Sequence, residues 1–263
     1  MSDNNKQLHI KGCVPDIHCD RFSEAGWEQT TVEVPQEAEI TVFVNQKELV
    51  TLMCTPNKLN FLVLGFLYSE GIISGLSDMT SMRVCDEESE VDVRLTNTDY
   101  ELPTVRILTS GCSGGVAFDT RQQKVESDIT VSPQEILELM KQFLLKMELY
   151  KHCGGVHASA LCDKDKLLIV SEDIGRHNTL DKIQGECLIR KISTKDKLLM
   201  STGRVSSEML LKASRMQIPV VISRTSPTGR TVELANELNI TLVGYARGNR
   251  MSVYAHPERL GRS

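Results

Sequence analysis

The sequence predicts an α/β protein in two parts, a small N-terminal β-plus-α unit and a larger C-terminal α/β domain. Short β-rich runs dominate the first third of the 263 residues, and strand patterns alternate with helix patterns towards the end. Such alternation is typical of a sheet with helices packed on it. A polar, turn-like stretch, TRQQKVESD, separates the two regimes. We therefore predict units spanning 1–125 and 126–263.

In the N-terminal unit, runs rich in β-branched residues predict four strands. These runs are Thr31–Val34, Glu39–Val44, Leu49–Cys54 and Val91–Leu95. An apolar helix is predicted over Leu59–Glu70, because Thr55-Pro56-Asn57 can form its cap and first turn and Gly71 its end. A further strand is predicted over Val105–Leu108.

The C-terminal domain is predicted to begin with a helix from Ser132-Pro133 to about Tyr150, which carries one apolar stripe. The segments SALC and KLLIVS then flank a charged turn and predict a hairpin. Helices and strands alternate in the remainder: helices Leu180–Lys191, Ser206–Met216 and Thr228–Asn239, and strands Lys197–Ser201, Val220–Arg224, Thr241–Tyr245 and Met251–Ala255.

The composition excludes several classes of protein. With 30 Lys+Arg against 35 Asp+Glu, the net charge of −5 gives no general attraction to nucleic acid or to anionic membranes. The first residues lack the apolar core of a signal peptide, and the most apolar stretch, Leu59–Tyr68, is too short to span a bilayer. We expect a cytoplasmic protein with neither nucleic acid nor a membrane as a partner.

The eight cysteines are expected to be reduced, because cytosolic proteins of this size rarely depend on disulfides. No pair has the spacing of a zinc knuckle, so no protein-bound metal is expected. Cys112 differs from the others because Thr109-Ser110-Gly111 and Ser113-Gly114-Gly115 surround it with small residues. A thiol on such a loop can be exposed and reactive. The alternative is a glycine-rich turn with an incidental cysteine.

Two further segments combine glycine with titratable residues. In Cys153–Ala160, the glycine pair that includes Gly155 precedes His157, and glycine lets the backbone approach a ligand closely. The alternative is a tight connection with a satisfied histidine. Asp173, Arg176 and His177 lie where a strand should end and a helix begin, which is where ligands bind in open α/β sheets. A capping network is the alternative there.

Two more predicted strands end in small residues followed by arginine. One segment contains Arg204, and the other is a run of six residues. The run is Tyr245, Ala246, Arg247, Gly248, Asn249 and Arg250. Arginine offers forked donors to phosphate oxygens, so these segments suit a nucleotide diphosphate, although each arginine could instead be a surface residue. Neither a P-loop nor a G-x-G-x-x-G fingerprint is present.

Taken together, these segments resemble the formate dehydrogenase accessory sulfurtransferase family, FdhD. The matching stretches run from about Leu52 to Tyr254. They are LMCTPNKLNFLVLGFLYSEGII, TSGC, GGVHASAL, SEDIGRHNTLDKIQG, STGRVSSEMLLKASRMQIPVVISRTSPT and VELANELNITLVGYARGNRMSVY. The resemblance implies that the C-terminal part is a three-layer α/β domain similar to the cytidine deaminase fold.

The resemblance also implies a function. A cysteine desulfurase would load sulfur onto Cys112 as a persulfide, and the protein would sulfurate a bis(molybdopterin guanine dinucleotide) cofactor, bound as substrate, for formate dehydrogenase. A homodimer is implied as well. We expect the guanine nucleotide against Tyr245–Arg250, with Arg204, Arg247 and Arg250 on phosphates. Asp173, Arg176 and His177 would shape the adjacent wall.

One departure from the family pattern concerns the Cys112 loop. Many relatives have Cys-x-x-Cys, whereas the second position here is Gly115. A relay through one cysteine survives this change, but a non-catalytic cofactor chaperone becomes the main alternative. Deamination is not expected, because His157 is followed by Ala158-Ser159 rather than by the x-Glu of a zinc deaminase, and no Pro-Cys-x-x-Cys is present.

Overall fold

A computed structural model describes residues 11–85, 89–101, 107–108, 116–117 and 123–262. The fold is mixed α/β, as predicted, with a six-stranded sheet, a four-stranded sheet and two two-stranded ribbons. The division at 125/126 stays a prediction. In the part of the chain that the structure covers, no helix combines the length and the apolar character needed to cross a membrane.

The first elements of the described residues are β1 (Cys13–Ser23) and β2 (Gly26–Pro35), which form an antiparallel ribbon. The sequence predicted only the end of β2 as a strand. The ribbon exposes residues on both faces, so the alternation that marks a half-buried strand is absent. At its tip, Phe22 and Trp27 are 67% and 74% exposed, and their ring centroids are 5.1 Å apart.

The four-stranded sheet has the order β4-β3-β6-β5. Its strands are β3 (Ala38–Val44), β4 (Lys47–Cys54), β5 (Met79–Cys85) and β6 (Glu90–Leu95). Three of the four correspond to predicted strands, whereas β5 was not predicted. Alternate residues such as Val42, Val44 and Val93 point into one core.

Helix α1 (Leu59–Ser69) covers that core, and its bounds agree with the prediction to one residue. It also crosses α4 (Arg176–Arg190) at two glycines. A Cβ on Gly65 would lie 1.8 Å from the carbonyl oxygen of Asp181, and one on Gly185 would lie 1.9 Å from that of Phe61. The two backbones therefore touch directly, which only glycine allows.

The six-stranded sheet has the order β10-β9-β11-β12-β13-β14. Its strands are β9 (His157–Cys162), β10 (Leu167–Asp173), β11 (Leu198–Ser201), β12 (Val220–Ser223), β13 (Thr241–Arg247) and β14 (Arg250–Ala255). Between the helices, β11, β12 and β13 run parallel, whereas the outer pairings are antiparallel. Two-residue strands β7 (Ile107–Leu108) and β8 (Val116–Ala117) form the remaining ribbon.

Helices cover both faces of this sheet. Helix α4 packs with α5 (Ser207–Arg215) and α6 (Gly229–Leu238) on one face, where Leu199 and Val221 point. Helix α2 (Pro133–Leu145) packs on the other face, towards which Leu198 and Met200 point. Since both faces are buried, these strands are apolar throughout, which is why the sequence identified them.

Two helices differ from their predicted bounds. The helix expected to reach Tyr150 ends at Leu145, and a separate α3 (Glu148–Cys153) follows. The carboxylate of Glu172 accepts hydrogen bonds from the amides of Leu149 and Tyr150, and so caps the new helix from 22 or 23 residues away in sequence. Helix α4 begins at Arg176, four residues earlier than predicted.

Candidate functional site

Five strands bring the candidate residues to one edge of the six-stranded sheet. Because β11, β12 and β13 are parallel, their carboxyl ends meet there. Strand β9 runs the opposite way, so it starts at this edge with His157, and β10 ends beside it with Asp173 paired to His157. The sequence predicted these residues at the ends of strands, and the strand order brings those ends to the same edge of the sheet.

Asp173 is fully buried and lies at the centre of a polar network. Its carboxylate pairs with the ammonium of Lys182 at 2.6 Å and accepts hydrogen bonds from the amides of Thr55 and Gly175. Thr55 also accepts a bond from the Ile174 amide through its hydroxyl, and one from Lys182 through its carbonyl. This residue of the N-terminal unit therefore fixes the connection after β10.

Gly203 lets Arg176 and His157 come together. A Cβ at this glycine would lie 3.2 Å from Cβ of Arg176 and 3.2 Å from Nδ1 of His157. Burial, followed by the positive charges of Arg176 and Arg204, lowers the pKa of His157, although Asp173 opposes this shift. His157 is therefore neutral at pH 7, and its ring can both donate and accept hydrogen bonds.

His177 lies deeper, on the first turn of α4. Its Nε2 is 3.2 Å from Oγ of Ser206 and 3.2 Å from a carboxylate oxygen of Glu208. Burial, together with the charges of Lys212 and Arg176, lowers the pKa of His177 to about 2, so the ring is neutral. Both partners face the same nitrogen, so this is no catalytic triad, in which the carboxylate bonds to Nδ1.

The turn after β12 holds the neighbouring segments in place. Oγ of Ser223 donates to the carbonyl of Gly203 at 2.7 Å, and the amide of Tyr245 donates to the carbonyl of Thr225 at 3.1 Å. Sequence reasoning missed Ser223 and Thr225. One available signal was that β11 and β12 both end in serine, and Ser201 and Ser223 pair in register.

The turn between β13 and β14 carries most of the exposed candidates. Arg247 is exposed, and its guanidinium lies 5.9 Å from the centroid of the Tyr245 ring. Its Nε donates to the carbonyl of Arg224 at 2.6 Å. Tyr245 has φ 51°, which is rare for an aromatic residue, and such strain is concentrated at functional sites.

The predicted site residues differ in how exposed they are. Arg204, Gly248, Asn249 and Arg250 are exposed at the edge with Tyr245 and Arg247. The side chains of Ala246 and Asp173 are fully buried in the protein, and Arg176 is only 5% exposed. Gly155 is exposed just before β9, with φ 63°, and lies against Pro35 of the ribbon. Cys112 lies outside the described residues.

Two further features were considered as sites for an anionic ligand or a metal, and neither is suitable in the described residues. A cavity of about 970 Å³ lies at the opposite edge of the sheet, but four of its nine lining residues are aspartate and one is glutamate, which would repel an anion. Within residues 11–85, 89–101 and 123–262, no cluster of three or more histidine, cysteine or acidic residues could hold a metal.

Comparisons with known proteins identify the family. The model of the FdhD/NarQ family matches residues 35–261. The Sulfur carrier protein FdhD of Bacillus licheniformis is 39% identical over 251 residues, which cover 91% of this chain and 94% of that protein. Its namesake from Bacillus subtilis strain 168 is 41% identical over 232 residues, covering 85% and 88% respectively.

A solved structure agrees with these matches. It is the crystal structure of a formate dehydrogenase accessory protein from Desulfotalea psychrophila, with a TM-score of 0.78 and 26% identity. The alignment covers 95% of this chain and 99% of that one. By sequence over most of its length and by fold, this chain belongs to the FdhD/NarQ family.

Proposed function

We propose that this protein is a cytoplasmic, homodimeric sulfur carrier for formate dehydrogenase. It takes sulfur from a cysteine desulfurase as a persulfide on Cys112. It passes that sulfur to the metal of a bis(molybdopterin guanine dinucleotide) cofactor, which it holds as substrate. Membership of the FdhD/NarQ family, whose relatives are named sulfur carriers, supports the general role.

The observation that carries the cofactor part of this proposal is the charge at the sheet edge. Arg204, Arg247 and Arg250 are exposed there, although the chain as a whole has a net charge of −5. Around them the histidines are neutral, and the buried Asp173 is neutralised by Lys182. The accessible charge is therefore positive, which suits a ligand with diphosphate groups.

The turn between β13 and β14 supports a purine-containing ligand. Tyr245 is 44% exposed, so its ring has a free surface on which a base can stack. The guanidinium of Arg247 is oriented by the carbonyl of Arg224 and lies near the same ring. A stacking surface beside an oriented cation is the arrangement we expect for a guanine nucleotide.

The sulfur steps balance without an external redox reagent. At loading, the Cys112 thiolate attacks the terminal sulfur of the desulfurase persulfide, and the desulfurase thiolate leaves. At delivery, the terminal sulfur moves to the metal as a sulfido ligand and Cys112 returns to the thiolate. The transferred sulfur gains two electrons in this step, so the metal would have to arrive in its reduced state and would supply both electrons. One cysteine is enough for both steps, so Gly115 in place of a second cysteine is no obstacle.

Intact-mass spectrometry tests the relay. We expect the protein, incubated with a cysteine desulfurase and cysteine, to gain about 32 Da that is lost on reduction. Cys112→Ala should gain none, whereas Cys19→Ala, a half-buried ribbon cysteine, should load like wild type. If Cys112→Ala gains as much sulfur as wild type, the relay is wrong. The absence of loading in wild type would favour the non-catalytic chaperone.

Calorimetry with GDP tests the nucleotide site separately. Arg247→Glu should weaken GDP binding at least about tenfold, which corresponds to roughly 1.4 kcal/mol, and should leave persulfide loading intact. The matched control is Arg190→Glu, which makes the same charge change at the far end of α4, about 22 Å from its start. Equal GDP affinity in the two variants would remove the Tyr245–Arg250 segment from the site.

A further inference from the structure

Two cysteines that play no part in the proposed relay lie side by side at the base of the ribbon. Cys13 is the first residue of β1, and Cys153 is the last residue of α3. Their side chains are close enough for Cys13 to affect the ionisation of the Cys153 thiol. Both thiols are reduced and each residue is partly exposed, so a small reagent can reach them.

The surrounding contacts fix this pair in place. The neighbouring Gly12 lies against Leu149, whose carbonyl oxygen is 3.4 Å from the Cys153 sulfur. Cys13 pairs across the ribbon with Pro35, and a Cβ on Gly155 would lie 2.9 Å from that proline ring. The start of β1 and the end of α3 are thus packed together by contacts on both sides of the thiols.

We propose that Cys13 and Cys153 form a redox modification site, a dithiol that closes to a disulfide by exchange with a small disulfide of the glutathione class. The two side chains already interact, so closure to the 2.05 Å bond needs a local adjustment and no rearrangement of the fold. The site is separate from Cys112 and does not rest on the proposed sulfur transfer.

The exchange proceeds in two balanced steps. One protein thiolate attacks the small disulfide, which gives a mixed disulfide and releases one small thiolate. The second protein thiol loses its proton and attacks the protein sulfur of the mixed disulfide, which releases the second small thiolate. The two protein thiols are oxidised to a disulfide, and the small disulfide is reduced to two thiols that take up the two protons.

Burial, the neighbouring Cys13 side chain and the charges of Glu33 and Glu172 raise the pKa of Cys153 to about 12. Cys153 is therefore a thiol at pH 7. Closure should therefore be slow at pH 7, because the thiolate is the attacking species.

Closure would pin the ribbon to the segment that leads into the candidate site, since His157 follows Cys153 by four residues. It would also close a loop of roughly 140 residues, which restricts the unfolded chain strongly. We therefore expect the oxidised protein to melt at least about 5 °C higher than the reduced protein.

The test uses the full chain, fully reduced and then incubated with oxidised glutathione. After free thiols are alkylated, digestion without reductant should give a peptide pair that links Cys13 to Cys153. Alkylation of the two residues should fall to the same extent and return with dithiothreitol. Cys19, half-buried on the same ribbon and opposite Thr30, serves as the internal control and should not enter this pair.

The variant Cys153→Ser separates a dithiol from two independent thiols. In this variant Cys13 should keep glutathione as a stable mixed disulfide of about 305 Da, because the resolving thiol is missing. In wild type, persistence of that mixed disulfide without the Cys13–Cys153 link would overturn the proposal. So would a wild-type protein in which the two residues are alkylated independently after oxidation.

Discussion

The crossing of α1 and α4 gives the sharpest prediction about stability. In Gly65→Ala, the new Cβ would lie 1.8 Å from the backbone oxygen of Asp181, whereas an ordinary contact needs about 3.4 Å. The helices would have to separate by about 1.6 Å, which opens a void along their interface. Overpacking against side chains costs about 1–3 kcal/mol, and a backbone oxygen cannot turn aside, so we expect at least 3 kcal/mol.

Chemical denaturation followed by circular dichroism measures this loss of unfolding free energy. In a thermal melt, Tm should fall by about 6–12 °C. The matched control is Gly229→Ala, another helical glycine, whose added methyl group meets open space and should be neutral or slightly stabilising. Gly185→Ala should resemble Gly65→Ala, and the double variant should cost less than the two losses added, because one separation accommodates both methyl groups. A loss below 0.5 kcal/mol in Gly65→Ala, like that of a surface change, would refute the reasoning.

Three further predictions concern buried charges and a helix cap. The pKa of His177 is about 2 in the fold, against 6.5 for an unperturbed histidine, so only the unfolded chain takes up a proton there as the pH falls below 6.5. The free energy of unfolding should therefore drop by about 2 kcal/mol by pH 5. His177→Gln should remove that part of the pH dependence, whereas His256→Gln should not. Lys182→Met leaves the buried carboxylate of Asp173 without its ion-pair partner and should lower the free energy of unfolding in urea at pH 7 by about 3–5 kcal/mol. The same change at the exposed Lys141 should cost less than about 0.5 kcal/mol. A cost below about 1 kcal/mol for Lys182→Met would contradict the ion pair. Ser132→Ala breaks the capping box of α2 and should cost about 1 kcal/mol by the same measurement, and no loss would mean that the cap is not used.

The fold was predictable where burial repeats along the chain. Helix α1 was predicted to within a residue because an apolar run lies between clear start and stop signals. The ribbon strand β1 was not predicted, because a strand exposed on both faces has no apolar period. The break between α2 and α3 could not be predicted either, because the carboxylate that caps α3 comes from Glu172, on a strand further along the chain.

The position of the candidate residues in the fold was predictable, and their surroundings were predictable only in part. Strand-end reasoning placed Arg204 and Arg247 at one edge, and parallel topology brings those ends together. It could not tell that Asp173 is fully buried, because that depends on Thr55, 118 residues away in sequence. Nor could it tell that the Ala246 methyl group faces the core, because the irregular pairing near Tyr245 sets the direction of each side chain.

The amide, hydroxyl and carbonyl of Thr55 are all engaged by residues of the larger part of the chain. Because Thr55 is held at three points, a movement of the small sheet moves the loop after β10 as well. Heating should therefore melt the small sheet and the large sheet together, in a single calorimetric transition. The rigidity of the edge that carries Arg204 and Arg247 therefore depends on the loop around Thr55, more than a hundred residues earlier in the sequence.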